Sequence, residues 1–314
     1  MKISYSAVSS YQNCPLQYKF QYVDNIPSLP SPALSFGQSV HEALRWFYDI
    51  PTGDPHPLEE FLDYLEECWS GEGYSSNEEE ARYFLQARSA LELFYRNLGE
   101  FRIPAALERR FVVDLGFCYL SGVIDPLDKD PEGGFEIIDY KTNRRLPPAK
   151  KLHEDLQLPI YHIAVEKIWE VSPEKVTFHY LLLNHRHSMT ITPERVEGAL
   201  GDIKRVVECI ENEAFDPRKN PLCPWCDYIG ICPAWEGEII PRKTATSPAL
   251  DIGEAVDELL LAEKKVSDAQ SRIEGLKTLI SSYLSDHGIE RVGGSRGIAF
   301  IDEEGSLSWR EGGS

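Results

Sequence analysis

The chain has 314 residues, 42% hydrophobic and 26% charged, enough apolar content for one large domain or two small ones. Its net charge of −19 argues against nonspecific binding to polyanions. The start Met1-Lys2-Ile3-Ser4-Tyr5-Ser6 lacks the apolar core of an export signal and no apolar run reaches membrane-spanning length, so the expected compartment is the cytoplasm. The charge is uneven, however. Residues 54–80 hold ten acids and no Lys or Arg, whereas residues 141–151 hold five basic residues and no acid, a local patch suited to phosphates.

In chain order, the first fifty residues are dense in aromatics, and Ser6 or Ser9 is expected to cap a short helix running through Cys14 to Phe20. Residues 28–32 read as a Pro-rich loop. Residues 37–44 open a helix with Val40, Leu44 and Phe47 on its apolar face. His41 lies beside that face, where a lone histidine is more often packed than a ligand. Residues 51–75 read as an acidic helical insertion and 77–98 as a longer helix ended near Gly99. Residues 107–114, 117–125 and 135–142 form a run of three strands, with residues 130–134 as the hairpin turn before the last.

A single helix over residues 150–171 places Gln157 and Tyr161 one turn apart on the same side. Residues 176–183 read as a strand and 189–192 as a second, short one, after which Pro193 starts a helix to Glu211. This order implies an α/β core with a mixed central sheet flanked by helices. Residues 237–252 read as a linker rich in Pro, Thr and Ser. The remainder, 253–314, is a C-terminal arm: a long helix to about 286, stopped by His287-Gly288, then a small hairpin from residues 297–301 and 307–309. The helix carries Leu259, Val266, Ile273 and Ile280 at heptad spacing, with Ala262, Ala269, Leu276 and Tyr283 at the second position. That pattern suits a dimer seam or an arm packed on its own core. No internal repeat is visible.

The chemistry concentrates at Gly122-Val123-Ile124-Asp125 and Asp139-Tyr140-Lys141. Period-two alternation puts Asp139 and Lys141 on one face, and a hairpin pairing brings Asp125 beside Asp139. Two such carboxylates repel unless one is protonated or a cation sits between them. Oxygen ligands of this kind suit Mg²⁺ or Mn²⁺, which would acidify a water and offset phosphate charge while Lys141 assists. Taken alone, an Asp followed two residues later by Lys is more often a solvated pair.

Seven cysteines without an export signal argue against a disulfide framework. Three of them, Cys223, Cys226 and Cys232, form a C-x₂-C-x₅-C array that points to soft-metal binding, with zinc and an iron–sulfur cluster both open on spacing. Cys14, also followed by Pro, is the nominated fourth ligand and would clip the N-terminus to the far end of the core. Cys68, Cys118 and Cys209 read as ordinary buried thiols.

Together these residues resemble the RecB-type nucleases of the PD-(D/E)XK superfamily, in the iron–sulfur branch of AddB and the CRISPR-associated RecB-like exonucleases. The resemblance covers about residues 3–236 and implies a nuclease domain over 1–236 with a restriction-endonuclease-like core, the acidic insertion at about 51–98 included. Its motifs are the opening from Ser4 to Pro15, G-x-x-x-H-E at Gly37 to Glu42, G-x-x-D at Gly122 to Asp125, D-x-K at Asp139 to Lys141, Q-x-x-x-Y at Gln157 to Tyr161, and the cysteine array. It implies that His41, Asp125, Asp139 and the Tyr140 carbonyl ligate a divalent metal and that Lys141 is the catalytic lysine. It implies further that Gln157 and Tyr161 line the DNA path, that Glu108 on the preceding strand has a catalytic part, and that Cys14, Cys223, Cys226 and Cys232 hold a [4Fe-4S] cluster. One departure is Pro126, where relatives often carry a basic residue. The expected activity is Mg²⁺- or Mn²⁺-dependent DNA cleavage, exonucleolytic on single-stranded or end-containing DNA, in recombination, repair or defence. The competing expectation is a catalytically silent DNA-binding subunit. No Walker A motif is present, so helicase work would fall to a partner.

Overall fold

The structure, a computed structural model, describes residues 1–50, 53–129, 134–238, 252–302 and 305–311. The chain divides into two compact units, Met1–Ala249 and Leu250–Ser314. Among the described residues no helix is long and apolar enough to cross a membrane.

The first unit opens with β1 (Lys2–Ser4) and α1 (Tyr5–Asn13). The cap is Ser4, earlier than Ser6 or Ser9: its Oγ accepts the Ala7 N–H at 3.2 Å. Cys14 is extended and ends α1, and Pro15 then starts a second short helix, α2 (Pro15–Tyr18), continuing as a π-helical turn over Lys19–Val23. The expected single helix is therefore divided, because Pro15 has no N–H to continue the ladder of α1. α3 (Pro32–Tyr48) begins five residues before Gly37, with Ser31 as cap and Pro32 in the first turn. Among the described residues of the acidic segment only α4 (Leu58–Glu67) is an α-helix, whereas α5 (Asn77–Arg96) starts at Ser76 with Glu78, Glu79 and Glu80 on its electropositive end.

The strand run separates into two sheets. β2 (Arg109–Asp114) pairs antiparallel with β3 (Tyr119–Ile124), and β1, too short to show a period, pairs parallel with β3 at Ile3 and Leu120. The second sheet runs in the order β4 (Leu127–Lys129), β5 (Phe135–Lys141), β6 (Lys175–Tyr180), β7 (His185–Met189). The hairpin partner of β5 is thus β4, with Leu127 opposite Ile137, and not the strand that ends near Asp125. Turn residues 130–133 lie outside the described residues. β5 is parallel to β6 and antiparallel to β4, so the sheet is mixed as expected. β7 begins earlier than residue 189, because Leu181–Leu183 form a 3₁₀ turn and Asn184, with φ +44°, reverses the chain there.

β5 is buried on both faces, which is why its alternation is masked by an apolar run. Ile137 packs with Ile3, Leu120 and Ile124, and with Ile160 and Ile203 of two helices introduced below. Ile138 and Tyr140 pack with Phe47, Phe61 and Leu91 of α3, α4 and α5. The helix expected over 150–171 is broken into α6 (Ala149–Glu154) and α7 (Gln157–Trp169), and α8 (Pro193–Glu211) starts at Pro193 as its sequence implies. Of the three cysteines read as buried, Cys118 is buried, Cys68 half-buried and Cys209 exposed.

The second unit holds α9 (Ile252–His287), ended where Gly288 takes φ +61°, and an antiparallel sheet. Its strands are β8 (Arg291–Gly293), β9 (Gly297–Ile301) and β10 (Leu307–Glu311), one more than the expected hairpin. Of the expected linker, residues 239–251 lie outside the described residues.

Candidate active site

The site is assembled on the end of β5. Asp125 sits in the link between β3 and β4, where the Pro126 carbonyl accepts the Ile138 N–H at 3.0 Å. This anchor turns the Asp125 side chain onto the β5 backbone, and its Oδ2 accepts the Tyr140 N–H at 3.2 Å. Asp125 and Asp139 thereby flank one point, although their strands are not partners. α3 brings His41 to the same point, with Nδ1 3.7 Å from Asp125 Oδ2, and the Tyr140 backbone carbonyl faces the same ring.

Electrostatics follow from this crowding. Burial and then the charge of Asp139 hold the Asp125 carboxyl well above the ordinary carboxylate range. Burial raises Asp139 also, against the pull of Lys141. Burial lowers His41, opposed by the charge of Asp139. Lys141 Nζ stands 2.6 Å from Asp139 Oδ2, yet at an angle that leaves this buried oxygen without a directed hydrogen bond. The ammonium donates to Gln157 Oε1 at 2.6 Å and lies 5.2 Å from the centre of the Phe178 ring.

Gln157 and Tyr161 are each 8% exposed, behind the carboxylates. The Gln157 amide donates to Asp139 Oδ1 at 2.6 Å and to the Tyr161 hydroxyl at 2.8 Å. One side chain thus ties together three groups of the site. Glu108 lies just before β2 rather than on it, with φ +42°, a left-handed backbone that costs a non-glycine residue about 1–2 kcal/mol. Its carboxylate is 3.8 Å from Arg45 Nε and is raised by burial. Arg45 is also paired with Glu42, which accepts the Tyr64 hydroxyl.

Sequence reasoning missed Asp155. Its Oδ1 accepts the Gln157 N–H at 2.7 Å, its Oδ2 accepts the Tyr5 hydroxyl at 2.9 Å, and its carbonyl accepts from Arg195 at 2.7 Å. Asp155 therefore ends α6, starts α7 and sets the orientation of Gln157. An Asp that takes the N–H two residues on makes an Asx turn, a signal hidden here by the continuous pattern over 150–171. Asp155→Ala is expected to lower kcat for nucleic-acid cleavage about 10–100-fold with KM little changed, as loss of an outer orienting partner does. Steady-state kinetics check this, with Asp155→Asn, which keeps the Oδ1 acceptor, restoring most of the loss.

Among the described residues no three His, Cys, Asp or Glu side chains close tightly enough to hold a single ion. Here the carboxylate oxygens are engaged by Lys141, Gln157 and the Tyr140 N–H. The donor set nonetheless fits a hard divalent cation, because two carboxylates raised by burial, an imidazole and a carbonyl face one spot. The Oδ2 of Asp139 already faces the Lys141 ammonium and has no directed hydrogen bond, so its lone pairs stay open to a further ligand.

The cysteines gather at a second place. Cys14, Cys223, Cys226 and Cys232 line one cavity of about 250 Å³. Cys14 Sγ accepts the Arg218 N–H at 3.4 Å and Cys223 Sγ the Asn220 N–H at 3.3 Å. Arg218 and Asn220 also donate to the Gln12 and Asn13 carbonyls, so the N-terminus meets this segment through hydrogen bonds as well.

The fold is α/β, with Asp139 and Lys141 on β5 of its mixed sheet and Asp125 beside them. The chain belongs to the PD-(D/E)XK nuclease superfamily, whose family model matches residues 2–233. It is 24% identical over 270 residues to the Gene 69 protein of Mycobacterium phage D29, across 74% of this chain and 97% of that one. By structure it is similar to a candidate exonuclease from Eubacterium rectale, with 13% identity, 78% and 91% of the two chains covered and a TM-score of 0.47. It is similar also to the protein SSO0001, with 16% identity, coverage of 74% and 86% and a TM-score of 0.39.

Proposed function

We propose that the protein is a metal-dependent deoxyribonuclease acting from DNA ends, of the RecB-type iron–sulfur branch, with the cleavage machinery within residues 1–236 and the cytoplasm as its compartment. The observation that carries this reading is the meeting of Asp125, Asp139, His41 and the Tyr140 carbonyl at the end of β5. These four would hold Mg²⁺ or Mn²⁺, which when bound supplies Lewis-acid stabilisation of phosphate charge and a water of lowered pKa. Lys141 keeps its ammonium at the reacting phosphate because Gln157 Oε1 holds it, and there it offsets charge developing on the phosphate oxygens. Gln157 in turn fixes the rotamer of Asp139, with Tyr161 behind it. Glu108 adds a third carboxylate at the edge of the site.

Arg145, Lys150 and Lys151 are exposed beyond β5 and suit the DNA backbone. Arg144 is committed differently: it donates to Gln86 and lies over the Tyr83 ring at 4.7 Å. The four cysteines around one cavity support a [4Fe-4S] cluster as a structural staple. Elemental analysis returning zinc instead of iron would keep the staple and change its metal.

The test is a cleavage assay with Mg²⁺ and with Mn²⁺ on end-labelled linear and circular DNA, single- and double-stranded. Linear substrates are expected to shorten while circles persist. DNA that is retarded on a gel but never shortened under either ion favours the silent binding subunit. Dependence on an added helicase would place the chain in a recombination or repair assembly.

A further inference from the structure

The family match ends at residue 233, which leaves the second unit without a task. Its α9 runs 36 residues with apolar side chains open to solvent: on the heptad seam Leu259, Val266, Ile273 and Leu276 are each 48–58% exposed, and beside it Val256, Leu260 and Leu279 are 50–66% exposed. A helix so long draws its stability from covering such a seam. We propose that the seam is covered by the same seam of a second copy of this chain, running antiparallel.

The layers decide the direction. At heptad spacing, Leu259, Val266 and Ile273 alternate with Ala255, Ala262 and Ala269. A parallel pair sets like against like, so three layers become alanine on alanine and leave gaps. It also sets Glu258 against Glu263 and Arg272 against Lys277, each twice by symmetry. An antiparallel pair centred near Lys264 sets Leu259 of one copy against Ala269 of the other, Val266 against Ala262, and Ile273 against Ala255. Every one of these layers then joins a large side chain to a small one, and Glu258 meets Arg272 twice, against single like pairs of Lys265 and of Glu263 at the axis, so the charges still favour this direction. Overlap over residues 252–276 is about 37 Å long at 1.5 Å per residue. Such a seam buries on the order of 1,200 Å², enough for a specific dimer. It ends where the unit covers itself: Lys277 lies over Trp309 at 5.3 Å and Leu284 is 2% exposed.

Light scattering after size exclusion of the full chain at tens of micromolar is expected to return twice the 35.7 kDa chain mass. Ile273→Asp, at an exposed position of the single chain, should return the single mass with the melting of the first unit unchanged. Ala262→Leu separates the directions at no cost in helix propensity. In the antiparallel pair the added leucine meets Val266 and weakens dimerisation about tenfold or more. A monomeric wild-type chain overturns the dimer, and a tighter dimer in Ala262→Leu overturns the antiparallel seam.

Discussion

Replacing Asp139 by alanine is expected to slow DNA cleavage by about a thousandfold or more, some 4 kcal/mol of transition-state stabilisation, and to leave the fold in place. The side chain is 2% exposed and serves Lys141 and Gln157 at once, so its loss removes a proposed metal ligand and the anchor of the proposed catalytic ammonium together. Stability should change little. The carboxylate is held in place against burial, and losing its hydrogen bond is offset by relief of the repulsion with Asp125. Lys141→Ala should fall by a similar factor, and the double variant by little more, because the two act as one unit. The measurement is single-turnover cleavage beside a thermal melt of each variant. Activity within tenfold of wild type in either single variant would remove β5 from the chemistry.

The second large effect concerns stability. Cys14→Ser is expected to lower the melting temperature of the first unit by roughly 5–15 °C and to strip the proposed cluster. A link from residue 14 to residue 223 closes a loop of about 200 residues, and cross-links of that span restrain the unfolded chain by about 5 kcal/mol. Part of that is retained without the metal, since the Tyr11 hydroxyl donates to the Ala214 carbonyl at 2.6 Å and the Tyr228 hydroxyl to the Ile26 carbonyl at 2.8 Å. A net loss of about 2–4 kcal/mol follows. The visible spectrum, iron content and melting curve report on it together. At temperatures below the shifted melt, cleavage should persist, because Cys14 contacts none of the groups at the end of β5. Unchanged metal content in Cys14→Ser would send the search for a fourth ligand elsewhere.

The candidate site was more legible than the sheets that carry it. Asp139 and Lys141 share a face by the two-residue period of any strand, and local signals also marked His41 on a helix and Gln157 near Tyr161. The pairing of strands was misread because β1 and β4 are three residues each, too short to show a period, and because β5 lies between two cores. The hairpin inferred between residues 125 and 139 was drawn with the wrong strand. Asp125 reaches Tyr140 nonetheless, through the Pro126 carbonyl on Ile138.

By itself the sequence determined which side chains bear charge, sulfur or imidazole, where Pro and Ser start helices, and which strand and helix faces are apolar. These follow from bonded geometry and near neighbours along the chain. Only the tertiary structure decided that Asp155 orients Gln157 and that Glu108 takes a left-handed backbone beside Arg45. Sequence context nominates Cys14, and the fold sets it on one cavity with the three distant cysteines. The reason is physical: such contacts depend on which elements pack, and packing sums many weak apolar terms across the whole chain that no local pattern contains.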